Sequence, residues 1–224
     1  IALILIVATF PMRLALAIAG ADRSGLTARE VNGSVWDSEL VEARLGALPL
    51  GNVTASLSPL ALLGGEVELA FKRPDPRLGA LAGRLHGSNP RGLSDLNGTS
   101  SLSGGLGMVP VDQLRFEGAA VRFDDRGRFV SAGGRIQLTV GTSIAGLDLT
   151  RGLSGPLRCA DGRAEAALTS QSGMERLTLA FDGSGAYRAQ FAIQADDPAM
   201  AAALSVIGFR PSNGGFVLVS TGRF

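Results

Sequence analysis

The chain has 224 residues, of which 46% are hydrophobic and 18% charged, and its formal net charge at pH 7 is +1. This length permits one large all-β domain or two small ones. The basic residues are scattered along the chain, which argues against a nucleic-acid-binding protein. With one cysteine, Cys159, and one histidine, His86, the chain cannot form an intrachain disulfide or a zinc site built from Cys and His.

The first ten residues, IALILIVATF, are almost wholly apolar. As a helix they would cover about 15 Å, half of a hydrocarbon core about 30 Å thick. Because the sequence begins at Ile rather than Met, we expect preceding residues to complete the span. We therefore predict that residues 1–20 form the C-terminal part of a membrane anchor helix and its exit segment, with Ile4, Leu5 and Phe10 in the anchor.

The residues after the apolar run fit a membrane exit. Pro11 and Arg13 would lie at the interface, where an arginine can reach the headgroups, and residues 12–20 would continue as an interfacial helix. Two other interpretations stay open. The run could be the apolar region of a signal peptide, with cleavage near residues 17–19, or a buried core helix.

After Gly20 the hydrophobic pattern changes to a period of two, which is typical of half-buried antiparallel strands. Gly, Pro, Asn, Asp and Ser separate the runs and supply turn conformations. The alternating runs are 41–45, 53–57, 67–71, 114–116, 121–123, 136–140, 177–181, 187–193 and 216–218. We predict one β-rich domain over residues 21–224. Any single arginine in it is expected on a solvated strand face.

A loose pattern of an apolar residue, any residue and then glycine recurs at irregular spacing. Its glycines are Gly33, Gly98, Gly118, Gly155 and Gly183. A glycine inside a strand pattern indicates a bulge, a bend or a close approach of two backbones. The repetition predicts a strongly curved sheet, although ordinary hairpin turns explain Gly33 and Gly98 equally well.

Two positions are predicted to anchor the core. Trp36, the only tryptophan, is expected to pack into the core or an interface. Near the C-terminus a short helix is predicted, with Asp197 as N-cap, Pro198 at its first position and Gly208 at its end. Its apolar side would consist of Met200, Ala203, Leu204 and Ile207, with Leu204 buried against the sheet and Ser205 toward solvent.

The sequence offers no coherent active site. A Ser-His-Asp triad around His86 is arithmetically possible, but no Gly-x-Ser-x-Gly elbow accompanies it. The acidic pair Asp124–Asp125 is expected in a hairpin turn, and the glycine clusters match no phosphate-binding fingerprint. We therefore predict no catalytic, cofactor-binding or metal-binding residues and no cofactor.

Short motifs near both ends of the chain form an ordered series. In the N-terminal half the motifs are TFPMR (9–13), GLTAR (25–29), VNGSVW (31–36), LPLG (48–51) and LSPL (57–60). In the C-terminal part they are DPAM (197–200), GFRP (208–211), GFVL (215–218) and GRF (222–224). Together these motifs resemble the type II secretion system protein N family.

The resemblance implies a single-pass inner-membrane protein with its main domain in the periplasm. It also implies an accessory, non-catalytic role in exporting folded proteins across the outer membrane. The implied partners are the inner-membrane platform proteins of that system, with the secretin as a further candidate. The expected fold is mainly β, either a curved antiparallel sheet or a partly open, barrel-like domain, with an N-terminal membrane helix and one short helix near the C-terminus.

Two alternatives remain. The first is an inner-membrane-anchored protein that handles or transfers lipid along a hydrophobic groove of the sheet. A continuous dry groove would favour lipid, whereas a groove filled by its own side chains would favour a structural module. The second, an enzyme, is weakened by the missing active site.

Overall fold

The computed structural model of the protein contains one extended antiparallel sheet and three short helices within its described part. The described residues are 8–18, 26–45, 48–75, 78–87, 90–101, 111–140, 149, 151–194 and 197–223.

The helices are α1 (Met12–Ile18), α2 (Pro59–Leu63) and α3 (Pro198–Ile207). The strands are β1 (Leu26–Thr27), β2 (Glu30–Ser34), β3 (Asp37–Leu45), β4 (Leu48–Leu57), β5 (Glu68–Arg73), β6 (Leu81–His86), β7 (Arg91–Ser101), β8 (Gln113–Phe123), β9 (Phe129–Thr139), β10 (Leu153–Ala160), β11 (Arg163–Thr169), β12 (Glu175–Phe181), β13 (Ala186–Ile193), β14 (Arg210–Ser212) and β15 (Gly215–Arg223).

The strands follow one another as a meander. From β3 to β13 each strand pairs with its neighbour in sequence, while β1 and β2 share one side of β3, and β15 lies between β13 and β14. This confirms the prediction of a mainly β, antiparallel architecture. The barrel-like alternative is not met, since β1 and β14 end the hydrogen-bonded order of the described strands without pairing to each other.

The predicted membrane helix is not seen in the described residues. None of the helices there is long and apolar enough to cross a membrane. Ile4 and Leu5 lie outside the described residues, so the anchor remains a prediction. The predicted exit segment is helical in α1, which lies along β2 and buries Met12 to 1% exposure.

Glycine bulges bend the strands as predicted. Gly98 lies inside β7, where the register with β8 shifts, and its φ of 122° is one that other residues rarely adopt. A Cβ atom at Gly98 would lie 2.0 Å from the carbonyl oxygen of Ala80, so the backbones approach too closely for any side chain. Gly98 is therefore a mid-strand bulge rather than a hairpin turn.

The sheet curls so strongly that strands three positions apart touch. In a flat sheet β4 and β7 would lie about 14 Å apart, because neighbouring strands are spaced by about 4.8 Å. Instead, the Ser100 hydroxyl of β7 donates a hydrogen bond to the Pro49 carbonyl of β4 at 3.2 Å. A similar contact brings the turn after β8 against the turn after β12, where a Cβ at Gly183 would lie 1.5 Å from the Gly127 carbonyl oxygen.

Arg73, at the end of β5, fills the gap where β4 and β7 converge. Its side chain is almost fully buried, at 1% exposure. A guanidinium carries five N–H donors, and here each donates to a backbone carbonyl. The acceptors are Gly79 at 2.9 Å, Pro49 at 3.3 Å, Leu50 at 3.1 Å, Leu78 at 2.9 Å, and Thr99. Removal from water lowers the pKa of Arg73, and the nearby Asp75 carboxylate opposes this shift. The expectation that every arginine lies on a solvated face is wrong here.

Helix α3 has the predicted bounds, with Asp197 accepting from the Ala199 N–H at 3.0 Å. At its C-terminus the Gly208 N–H donates to the Ser205 carbonyl and the Phe209 N–H to the Leu204 carbonyl, at 3.1 and 3.0 Å. This pairing brings together two apolar side chains that flank the helix end. Leu204 is fully buried, and the Phe209 ring lies 5.9 Å from the ring of Phe191 on β13. Helix α3 is thus docked on the sheet through its last turn.

Replacing Arg73 by Met should lower the free energy of unfolding by about 3 kcal/mol, because several buried carbonyls lose their donor. The matched control is Arg84→Met on the adjacent strand, since the side chain of Arg84 is 53% exposed and pairs with Asp95 at 3.7 Å. Arg84→Met should lower the free energy of unfolding by less than about 1 kcal/mol. Urea unfolding followed by circular dichroism measures both. An equal decrease in the free energy of unfolding of both variants would show that the hydrogen bonds of Arg73 do not stabilise the curled sheet.

Replacing Leu204 by Asp should destabilise the domain by about 3–5 kcal/mol, because a carboxylate would be buried among apolar groups. Val206→Asp makes the same kind of exchange two residues away, where the native side chain is 88% exposed. The control should unfold within about 0.5 kcal/mol of the parent protein. A similar thermal midpoint for both variants would contradict the docking of α3.

Candidate interaction surface

The largest apolar side chains exposed to solvent include those of α2. This helix begins at Pro59 after Ser58, whose hydroxyl accepts a hydrogen bond from the Ala61 N–H at 3.3 Å, and none of its residues is buried. With the nearby Val67, its leucines form a surface that we name the apolar tip. The members of the apolar tip are Leu60 (81% exposed), Leu62 (38%), Leu63 (87%) and Val67 (43%). The Glu66 N–H donates to the Ala61 carbonyl at 2.9 Å, which brings Val67 near α2, and exposed apolar groups grouped in this way indicate a contact surface.

The apolar tip lies where the N-terminal segment joins the sheet. The Val35 N–H donates to the Phe10 carbonyl at 2.9 Å, and the Leu57 N–H donates to the Val35 carbonyl at 2.7 Å. Ser58, the N-cap of α2, follows Leu57 directly. Two backbone hydrogen bonds therefore link the N-terminal segment to the start of α2. We call this side of the sheet the Phe10 end.

Two predicted site residues belong to the Phe10 end. Trp36 is half-buried in the two-residue turn between β2 and β3 and packs against the core. The backbone N–H of Trp36 donates to the Ser34 hydroxyl at 3.3 Å. Phe10 is also half-buried and packs against the core. Leu204 lies at the opposite end of the sheet, in the helix that follows β13.

Sequence reasoning missed the apolar tip. The signal was present in Ser58 and Pro59, which are typical of an N-cap and a first helical position. The three leucines of α2 are also close enough in sequence to look like core residues. Their exposure depends on the tertiary position of the helix beyond the end of β4, which the local pattern does not contain.

The inner face of the sheet is filled by its own side chains. Leu138, Leu168 and Leu177 have 0% exposure, and Phe191 on β13 has 1%. A groove open to a lipid chain would leave such residues accessible along its floor. The described part of the inner face is therefore a packed core.

His86 contacts two polar side chains across three strands. Its Nε2 atom lies 2.8 Å from the Ser94 hydroxyl, and its Nδ1 atom lies 3.9 Å from a Glu68 carboxylate oxygen. The second distance is too long for a hydrogen bond. The adjacent Gly87 N–H donates to the Val67 carbonyl at 2.8 Å, so it is not available to stabilise an oxyanion. The sequence could not predict this grouping, because it depends on the register of β5, β6 and β7.

The other candidate groups are engaged in local contacts. The Cys159 thiol is half-buried and lies 3.3 Å from the Phe129 carbonyl oxygen, to which it donates. The Asp124 carboxylate accepts hydrogen bonds from the backbone and the side chain of Arg128 in the turn after β8. Within the described residues, no three His, Cys, Asp or Glu side chains are grouped so that they could hold a metal ion.

The pKa of His86 is lowered, chiefly by burial and secondly by Arg122, while Glu68 and Glu66 oppose the shift and Arg84 adds to it. The unfolded chain therefore takes up a proton at a higher pH than the folded protein does. As pH falls from about 7 to about 5, the free energy of unfolding should decrease. His86→Gln should remove this part of the pH dependence, as measured by urea unfolding at several pH values.

Asp124 and Asp182 serve as an internal check on that experiment. Hydrogen bonds from the Arg128 backbone lower the pKa of Asp124, and the Ser184 hydroxyl lowers the pKa of Asp182. Both carboxylates stabilise the fold above their unfolded pKa, so their contribution is lost only at more acidic pH. If the free energy of unfolding of His86→Gln depends on pH between about pH 7 and pH 5 as it does in the parent protein, the role given to His86 is contradicted.

Among the described residues, the most exposed leucines lie beside the N-terminal segment of the β-domain. A protein-family comparison covers most of the chain. The model of the type II secretion system protein N family matches residues 24–219. No curated protein and no solved structure matches the chain significantly. The match covers nearly all of the sheet and includes α2 and α3, so the chain belongs to the type II secretion system protein N family.

Proposed function

We propose that this protein is a non-catalytic, inner-membrane-anchored component of a type II secretion system, with its β-domain in the periplasm. The observation that carries the proposal is the family match over residues 24–219, which makes the chain a component of that system. The apolar sequence of residues 1–10 supports the membrane anchor. The partners that we propose are the inner-membrane platform proteins, and the secretin is a second candidate.

The packing of the sheet supports a structural role over lipid transfer. A lipid-transfer domain needs an apolar channel that stays open between lipids. Here the inner leucines, such as Leu168 and Leu177, are already covered by neighbouring side chains. A rigid sheet with a filled core suits a part that holds other components at fixed positions.

The contacts of His86 support the non-catalytic assignment. Acyl transfer by a Ser-His-acid triad requires the acid to orient the imidazole by a hydrogen bond and requires donors for the developing oxyanion. The Glu68 oxygen lies 3.9 Å from His86 Nδ1, and the neighbouring Gly87 N–H is already bonded to Val67. In this contact between three strands, Glu68 does not orient the imidazole by a hydrogen bond, and the Gly87 N–H is already engaged and does not serve as an oxyanion donor.

Deleting the gene from its host should abolish release of type II substrates into the medium, and the complete gene should restore it. A tagged version, purified from solubilised membranes, should bring down inner-membrane platform proteins. An unrelated tagged single-pass protein of the inner membrane is the control. Secretion at the parental level in the deletion strain would contradict the proposed role.

The same complementation tests the absence of catalysis. His86→Gln, Ser94→Ala and Cys159→Ser should each restore secretion at parental level, because these side chains make only local contacts. Immunoblotting must show equal amounts of each variant. Loss of secretion in a variant present at normal amount would support an enzymatic role instead.

A further inference from the structure

We propose that the apolar tip inserts into the lipid surface of the membrane that anchors the chain, giving the domain a second attachment beside its N-terminal segment. This inference rests on the proposed membrane anchoring. Leu60 and Leu63 of α2 are 81% and 87% exposed. Contact with lipid would remove this apolar surface from water.

The position of the tip identifies the membrane as its occupant. The seven residues before Ala8 are all apolar, and the chain enters the fold at Phe10. Phe10 is joined to Val35, and Val35 to Leu57, by backbone hydrogen bonds of 2.9 and 2.7 Å. The start of α2 is thus about two strand spacings, roughly 10 Å, from Phe10, at the end of the apolar segment of residues 1–10.

The size and charge of the tip also favour lipid over a protein partner. Four side chains cannot supply the roughly 800 Å² that each member of a stable protein complex buries. An apolar turn at a membrane interface needs only a few large hydrophobic residues, each strengthening association by about tenfold. Helix α2 contains no charged residue, and the adjacent Glu66 is acidic, so the attachment should not depend on anionic lipid.

A second neighbouring residue fits the same environment. Trp36, half-buried at the Phe10 end, belongs to a residue type that is enriched at membrane–water interfaces. Two attachments about one nanometre apart would restrict the rotation of the sheet about its anchor. The apolar tip would then set the orientation of the domain relative to the membrane.

The test places an environment-sensitive fluorophore at Leu63. In a Cys159→Ser background, Leu63→Cys and the control Val206→Cys are each labelled with a nitrobenzoxadiazole dye. Val206 is also apolar and 88% exposed, but it lies in α3 at the opposite end of the sheet. The full chain is reconstituted into vesicles of phosphatidylethanolamine with phosphatidylglycerol as the minor component, with and without a spin-labelled lipid.

The dye at position 63 should emit at shorter wavelength and be quenched severalfold more strongly than the dye at position 206. Replacing the phospholipids by neutral phosphatidylcholine should leave this difference unchanged. Equal quenching at both positions, or none at either while the chain resists carbonate extraction, would overturn the inference and leave the anchor intact. A shift at position 63 that requires added platform proteins would overturn it in favour of a protein surface. Loss of the chain from carbonate-washed vesicles would overturn the anchoring itself.

Discussion

The five hydrogen bonds of Arg73 set the shape of the N-terminal half of the sheet. Strand β5 ends at Arg73 and β6 begins at Leu81. Both are shorter than their outer neighbours β4 and β7, so a gap remains between those two strands. A buried guanidinium is stable there only because carbonyls from both long strands and from the intervening loop converge on it. The buried guanidinium is therefore stable only in the curled sheet, because the curl brings the acceptor carbonyls within hydrogen-bond distance of it.

This curled geometry explains why the sheet can bury one face without a second layer of helices. A flat sheet would need another element to cover its apolar side. In the present fold the curvature brings inner side chains from distant strands together, so that Leu138 and Leu177 are both fully buried. The described helices add little to this cover, since α1 contributes Met12 and α3 contributes Leu204, both buried, whereas no residue of α2 is buried.

Local chemistry predicted the elements whose identity depends on a few neighbouring residues. The bounds of α3 follow from Asp197, Pro198 and Gly208, and all three adopt the expected capping geometry. Apolar alternation predicted β3, β4, β12 and β13 well. It gave no run for β6, β7, β10 or β11. Pro156 interrupts β10, and alanines replace large apolar residues in β11. These strands are held by their place between two partners rather than by their own pattern.

The interaction surface and the arginine cluster could not be predicted for a different reason. Nothing in the residues around Arg73 distinguishes a buried arginine from a solvated one, because its acceptors come from β4, β7 and a loop. The exposure of Leu60 and Leu63 likewise depends on where β4 ends in space. Both features depend on contacts between segments that are distant in sequence, which capping signals and periodicity do not encode.

The meander order has a consequence for how the domain is made. Between β3 and β13 every strand finds its partner in the preceding strand, so each new pairing closes a loop that is short compared with the whole chain. Such an order keeps the entropic cost of each step small and lets the sheet lengthen from its first strands as further residues become available. A chain emerging N-terminus first could thus assemble progressively, with the arginine cluster closing once β7 is in place.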